Sequence, residues 1–396
     1  MRLTPATELD RRWQKLQQQL SVHSLDAALL VQNADLFYFT GTIQQGLFYV
    51  PREGEPLYLV RRDFGRARME SGLKNVLPLD SFKSLPDILK KHGLSAPRSL
   101  GLELDVLPVS LYQRLMRLFS ACDTQDVTPL VRDVRAVKSD YEIGIMKDAA
   151  LLADKVIQRA SEVLKEGMTD LDLAAELEYE ARRQGHQGLV RMRAFNGEIF
   201  YGHVFSGTDS AAPGGADAPL SGMGLGPAFG QGASYKTIKA GEPVLVDFVA
   251  CFDGYLVDLT RLFCLGGMDE CLVRGFEDMV ELHNIFVERA RPGCSWQELY
   301  ELCLHTADRM GHADHFMGAG PARVGFVGHG VGIELDEYPF IARGFADKKL
   351  EENMTFAFEP KLVFPGLGAV GIENTFWVGT DGLKSLTYSD AQLKIL

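Results

Sequence analysis

An α+β chain in two parts is what the sequence predicts: a smaller α/β domain over residues 1–130, then a larger α+β domain over residues 131–396. Three observations predict it. Helix and strand patterns alternate through the first third. Two long amphipathic patterns with capping signals follow. Then 244-VLVDFVACFDGYLVDLTRLF-263 reads as two apolar, β-branched strands around Asp253-Gly254, where glycine supplies the positive φ of a short turn.

In the first domain, TELDRRWQKLQQQLSVHSL places Leu9, Trp13, Leu16 and Leu20 at helical spacing. DAALLVQ reads as a short buried strand, and NADLFYFTGT as a turn and a strand. LFYVPREGEPLYLV reads as a hairpin with Glu53-Gly54 near its tip. RRDFGRARMES, SLPDILKKHGL and SLYQRLMRLFS read as helices, so the sheet is expected to be mixed. The cluster Arg61, Arg62, Arg66 and Arg68 reads as a solvated face, or as a grip on a substrate carboxylate.

Thr128-Pro129 reads as a linker. Ser139 and Glu142 have capping-box spacing at the start of a helix that Gly167 closes, and Thr169 caps the next helix.

Asp247 and Asp258 sit inside the apolar hairpin strands. A carboxylate buried in a sheet is costly unless a positive group compensates it. No lysine lies nearby in the chain, and Arg261 is the single arginine. A metal is therefore the simplest partner; solvation or pairing with Arg261 is the other reading. Downstream, GHGVG, AFEPKLVF and VGIENTFWV place His329, Glu359 and Glu373 in or beside apolar segments. Four carboxylates and one imidazole suit divalent Mn, Co, Fe or Zn. Five ligands exceed what one catalytic zinc usually takes, so two ions sharing carboxylates fit better.

The order and wording of VDFVACFDGYLVDLTRLF, GHGVGIELDEYP, FAFEP and GIENT resemble the creatinase/prolidase/methionine aminopeptidase family, the pita-bread metallopeptidases. The closest likeness is to the Xaa-Pro dipeptidase and aminopeptidase P branch. It covers roughly residues 135 to 396 well and the first third more weakly. The resemblance implies a curved antiparallel sheet covered by helices in the second domain. It implies that Asp258 and Glu373 bridge two ions, that Asp247 holds one, and that His329 and Glu359 complete the other. It makes Glu359 the proton shuttle in amide hydrolysis before proline, on a small peptide substrate. A homodimer is also implied. Phe195, Tyr201, Phe326, Tyr338 and Phe340 are candidate walls for the proline ring.

Two departures from the family pattern stand out. Pro213-Gly214-Gly215 has glycines where the family carries a substrate-contacting His. An unusually long glycine-rich stretch, GMGLGPAFGQGASY, follows, readable as a lid or as a surface insertion. Asp336 replaces a second family His, one thought to bond the scissile carbonyl. An ionised Asp only accepts hydrogen bonds. The missing donor is then expected from His203 first, or from His312, His315 or Tyr201. Two other classes stay open: an enzyme of the same fold acting on a non-peptide C–N or C–S bond, and a non-catalytic binding module. Retention of all five ligand positions argues against the module.

The net charge of −12 argues against nucleic acid or an anionic membrane as partner. No apolar run approaches a membrane span. The opening MRLTPATELDRRW is polar rather than a secretory leader. Six scattered cysteines without a CxxC pair fit reduced thiols in a cytoplasmic protein.

Overall fold

The computed structural model describes every residue except Met1, Ala194 and Ala216. The chain divides into two compact units, Met1–Arg135 and Ala136–Leu396.

The first unit is built on one mixed sheet of β1 (Ala27–Leu30), β2 (Gly46–Pro51), β3 (Leu57–Val60), β4 (Val76–Pro78), β5 (Ser99–Leu102) and β6 (Asp123–Asp126). The order is β4-β3-β2-β1-β5-β6. The β1–β2 and β2–β3 pairs are antiparallel and the remaining three are parallel. The helix Ala6–Val22 buries Leu9, Trp13, Leu16 and Leu20, the face its periodicity predicts. Arg61, Arg62, Arg66 and Arg68 are exposed, and Arg66 pairs with Glu70 at 2.6 Å.

Two segments differ from expectation. Asn33–Thr40 is a helix rather than a turn and strand. The Gln32 side chain caps it by accepting from the Ala34 and Asp35 amides, and Gly41, at φ +80°, ends it. Its buried Asp35 takes a 2.8 Å ion pair from Arg135. These tertiary contacts outweigh the β propensity of Phe-Tyr-Phe. Thr128–Ala136 is also a helix rather than a linker. Pro129 fits there because the amide it lacks is unpaired in a first turn.

In the second unit, Ser139 with Glu142 forms the capping box of Asp140–Val163, and Thr169 with Asp172 that of Asp170–Arg183. The strands are β7 (Gly202–Ser206), β8 (Val244–Phe252), β9 (Tyr255–Cys264), β10 (Phe326–Val331), β11 (Leu335–Ala342), β12 (Thr355–Phe358), β13 (Lys361–Phe364), β14 (Gly368–Gly371), β15 (Asn374–Val378), β16 (Leu383–Ser385) and β17 (Lys394–Ile395). They form sheets ordered β17-β9-β8-β7 and β11-β10-β12-β15-β16, with β13 and β14 as a separate pair. β8 and β9 turn through Asp253 and Gly254, at φ +45° and +86°. Positive φ at both central residues is the geometry that matches strand twist.

The helices Glu270–Arg289 and Trp296–Arg309 close one side of this unit. Phe276, Met279, Phe286 and Trp296 join Phe358 and Leu362 in one buried cluster. The strand ends carrying the polar site are thereby backed by apolar packing.

Candidate metal centre

The β8–β9 register pairs Asp247 with Thr260 and Val249 with Asp258. Residues two apart on a strand share a face, so both acids project to the same side as diagonal neighbours. Downstream, β10 pairs with β12, which sets His329 opposite Ala357. The Glu359 amide donates to the Val327 carbonyl at 3.0 Å. A bridge between Thr260 and Glu373 brings in the fifth side chain. Long-range pairing, rather than any local motif, is what gathers the five.

His329 Nε2 lies 3.9 Å from Asp258 Oδ2, 3.6 Å from Glu359 Oε1 and 3.7 Å from Glu373 Oε1. Asp258, His329, Glu359 and Glu373 are buried, and Asp247 is half-buried. Asp258, His329 and Glu373 each offer a ligand atom within 4.8 Å of the others. Asp258 Oδ1 and Glu373 Oε1 are buried without a hydrogen-bond partner, which is costly for a carboxylate oxygen unless a cation takes it up.

The sequence reasoning missed a residue. Lys361 is buried in the same cluster. Its Nζ lies 2.9 Å from Asp247 Oδ2, 2.7 Å from Glu359 Oε2 and 3.0 Å from Glu373 Oε2. The expectation that no lysine stands near the hairpin acids is therefore wrong. Its signal was present in the chain, because Lys361 is two residues from Glu359 and both turn into the cluster. Pairing with Arg261 does not occur. That guanidinium holds backbone instead, donating to the Thr260 and Glu373 carbonyls at 2.8 and 2.7 Å.

Burial pushes the Asp258 and Glu359 carboxyls toward the protonated form. Like charges add to this, Glu373 and Asp247 acting on both. Glu373 goes the other way: burial opposes its charge, but Lys361 and His329 outweigh it and hold the carboxyl low. The two oxygens left unpaired, and the two carboxyls that burial would protonate, fit a divalent ion, which would displace those protons on binding. The donor set therefore suits at least one such ion.

His203 pairs across strands with Asp247 and so faces the cluster. Burial favours its neutral form. The glycine-rich stretch packs onto it: a Cβ on Gly232 would stand 2.7 Å from His203 Cδ2. Two other expected donors have partners elsewhere, and the third lies near another ring. His312 Nε2 meets Asp278 at 2.6 Å, His315 Nδ1 meets the Val363 carbonyl at 2.9 Å, and the Tyr201 ring lies against His186.

Asp336, half-buried at φ +61°, places Oδ1 3.4 Å from His329 Nδ1. A Cβ at Gly214 would stand 2.3 Å from that of Ser221, so a larger side chain has no room there. Of the candidate proline walls, Phe326 lies edge-on to His329 with centroids 6.2 Å apart. Tyr338 and Phe340 pack on Phe345, and Phe195 is exposed.

The profile of metallopeptidase family M24 matches residues 144–380, and that of the creatinase/prolidase N-terminal domain matches residues 12–137. The chain is 27% identical over 387 residues to an Xaa-Pro dipeptidase of Pyrococcus horikoshii, covering 97% of this chain and 99% of that one. It is 28% identical over 387 residues to an Xaa-Pro dipeptidase of Pyrococcus furiosus, covering 97% and 100%. The crystal structure of the prolidase from Pyrococcus horikoshii superposes with a TM-score of 0.80 at 26% identity, covering 96% of this chain and 99% of that one. The expected architecture, a pita-bread domain behind a creatinase-type domain, is thus the observed one. With over half its length matched by the catalytic-domain profile, the chain belongs to metallopeptidase family M24.

Proposed function

We propose that the chain is a metal-dependent Xaa-Pro peptidase, a dipeptidase or aminopeptidase that hydrolyses the bond before proline in small peptides. The convergence of Asp258, His329, Glu359 and Glu373 around unpaired buried oxygens carries this reading. These residues would hold divalent Mn, Co, Fe or Zn, with Asp247 at the edge of the set. When bound, such an ion polarises the scissile carbonyl and acidifies a water.

The remaining roles fall to the chain itself. Glu359, whose carboxyl burial brings toward neutrality, takes a proton from the attacking water and passes it to the leaving nitrogen. Neutral His203 offers one N–H toward the carbonyl oxygen. Asp336 orients His329 rather than donating to substrate. Phe326 supplies an apolar wall.

Relatives named Xaa-Pro dipeptidases, matched over nearly full length, support the substrate class. Six unpaired thiols accord with a cytoplasmic enzyme, and no helix among the described residues is long and apolar enough to cross a membrane. A homodimer completes the reading and is checked by light scattering.

The test is a screen of Xaa-Pro dipeptides and longer Xaa-Pro peptides with added Mn, Co or Zn. Release of proline, or of the residue before it, is expected. Metal binding without turnover of any peptide would overturn the substrate assignment and favour a non-peptide C–N or C–S bond.

A further inference from the structure

Lys361 has no place in a centre of two ions. Its ammonium touches Asp247 Oδ2, Glu359 Oε2 and Glu373 Oε2, all within 3.0 Å. Carboxylate oxygens bind a divalent ion such as zinc at about 2.0–2.2 Å. An ion held by these three oxygens would therefore lie in the space that Nζ fills, against a like charge. The complementary atoms face the other way. Asp258 Oδ2, Glu359 Oε1 and Glu373 Oε1 surround His329 Nε2 at 3.6–3.9 Å, and the unpartnered oxygens are Asp258 Oδ1 and Glu373 Oε1. The cluster thus has a side already neutralised by lysine and a side still short of a cation.

The lysine is built in rather than passing through. It opens β13 and is 1% exposed. Its backbone carbonyl accepts from the Met317 amide at 2.9 Å, and its cross-strand partner is Gly371. A Cβ on Gly371 would come within 2.7 Å of Lys361 Cγ and 2.6 Å of the Pro360 carbonyl oxygen. The absence of a side chain at 371 is what gives the lysine stem its path.

We propose that the Lys361 ammonium takes one of the two cation positions of this site, so that each chain binds one divalent ion, held by Asp258, His329, Glu359 and Glu373. The proposal rests on the reading of the cluster as a metal centre and deepens it. The ammonium supplies one of the positive charges that the four carboxylates require, and with one divalent ion a single net negative charge is left.

The experiment counts ions. Metal-stripped wild-type protein and Lys361→Gly are titrated with Mn by calorimetry, and metal per chain is measured by mass spectrometry after desalting. Wild type is expected to bind one equivalent and Lys361→Gly two. The doubly loaded variant is expected to show the exchange-coupled Mn paramagnetic resonance spectrum, and wild type the spectrum of an isolated ion. Two equivalents in wild type would overturn the proposal while leaving the metal centre standing. No binding in wild type would overturn both. Lys361→Met keeps the bulk and loses the charge, so one equivalent is expected there if space decides and two if charge decides. One equivalent in both variants would remove Lys361 as the excluding group. The wild-type count decides even where a variant fails to fold.

Discussion

Asp336 Oδ1 stands 3.4 Å from His329 Nδ1, while His329 Nε2 faces Asp258, Glu359 and Glu373. One ring nitrogen meets a carboxylate outside the cluster and the other meets the cluster. A carboxylate at Nδ1 keeps the proton there and leaves the Nε2 lone pair free for a cation. Asp336 is placed to orient the ring, together with the Gly330 carbonyl 3.5 Å from the same nitrogen, where the family pattern has a second imidazole.

Removing it should loosen the ring. Asp336→Ala is expected to weaken divalent-ion binding by about 10–100-fold. Asp336→Asn should retain most of the affinity, because its carbonyl oxygen still accepts from Nδ1–H. Competition against a chromophoric chelator reads both. An alanine variant that binds as tightly as wild type would leave His329 oriented by other contacts.

Glu373 and Asp247 separate the two halves of the cluster. Glu373 accepts from Thr260 Oγ1 at 2.8 Å and also reaches Lys361 and His329, whereas Asp247 forms its ion pair with Lys361. Glu373→Ala is expected to lose both tight metal binding and turnover, each by more than about 100-fold, since a ligand outweighs its supporting contacts. Asp247→Ala is expected to lose turnover while keeping metal affinity within about tenfold. Parallel metal titration and peptide assays check this. Equal loss of metal in the two variants would make Asp247 a ligand of the same ion.

Much of this was readable in the chain. Asp253-Gly254 marked the hairpin, Ser139 with Glu142 and Thr169 marked two helix starts, and Leu9, Trp13, Leu16 and Leu20 marked a buried face. Each is a local signal, set within a few residues. The five acidic and imidazole side chains lie in or beside apolar runs, and the resemblance to the family singled them out as a set. What escaped depends on contacts between distant segments. Asn33–Thr40 is helical because Gln32 caps it and Arg135 meets Asp35. His203 was named as a donor, but its place opposite Asp247 comes from the β7–β8 register, and register cannot be read from either strand alone. Lys361 escaped because a lysine in an apolar strand reads as a rim residue until the cluster around it is seen.

The buried pair in the first unit carries a stability prediction. Arg135 Nη1 and Asp35 Oδ1 meet at 2.8 Å, with side chains 2% and 0% exposed. Removing Asp35 takes a carboxylate away from a buried guanidinium. Asp35→Ala is therefore expected to cost about 3–5 kcal/mol. Urea denaturation followed by tryptophan fluorescence and circular dichroism measures it. Asp35→Leu combined with Arg135→Met should recover most of the loss, because both buried charges leave together. A cost below about 1 kcal/mol for the single variant would mean that water or another group reaches Arg135.

His283 gives the molecule a pH-dependent term away from the cluster. Its ring is buried between Phe358 and Phe376, with centroids 5.6 and 5.5 Å away. Its Nε2 accepts from Asn374 Nδ2 at 3.1 Å, so the proton sits on Nδ1. Burial first, and the Arg261 charge after it, press the imidazole down to about 4 against a hydrogen bond with Asn284. An unfolded histidine titrates near 6.5. As pH falls through about 6.5 the unfolded chain takes up a proton that the folded chain refuses, so stability declines. The decline ends near pH 4, where the folded form also protonates, after a loss of about 3 kcal/mol. His283→Gln has no such titration. Other groups titrate alike in both proteins, so the difference in unfolding free energy between wild type and variant isolates this one. Measured with chelator present, wild type should lose about 2–3 kcal/mol of its advantage between pH 7 and pH 4.5. A constant difference would mean that the folded protein charges His283 as readily as the unfolded chain does, and that Arg261 and the aromatic rings do not hold it neutral.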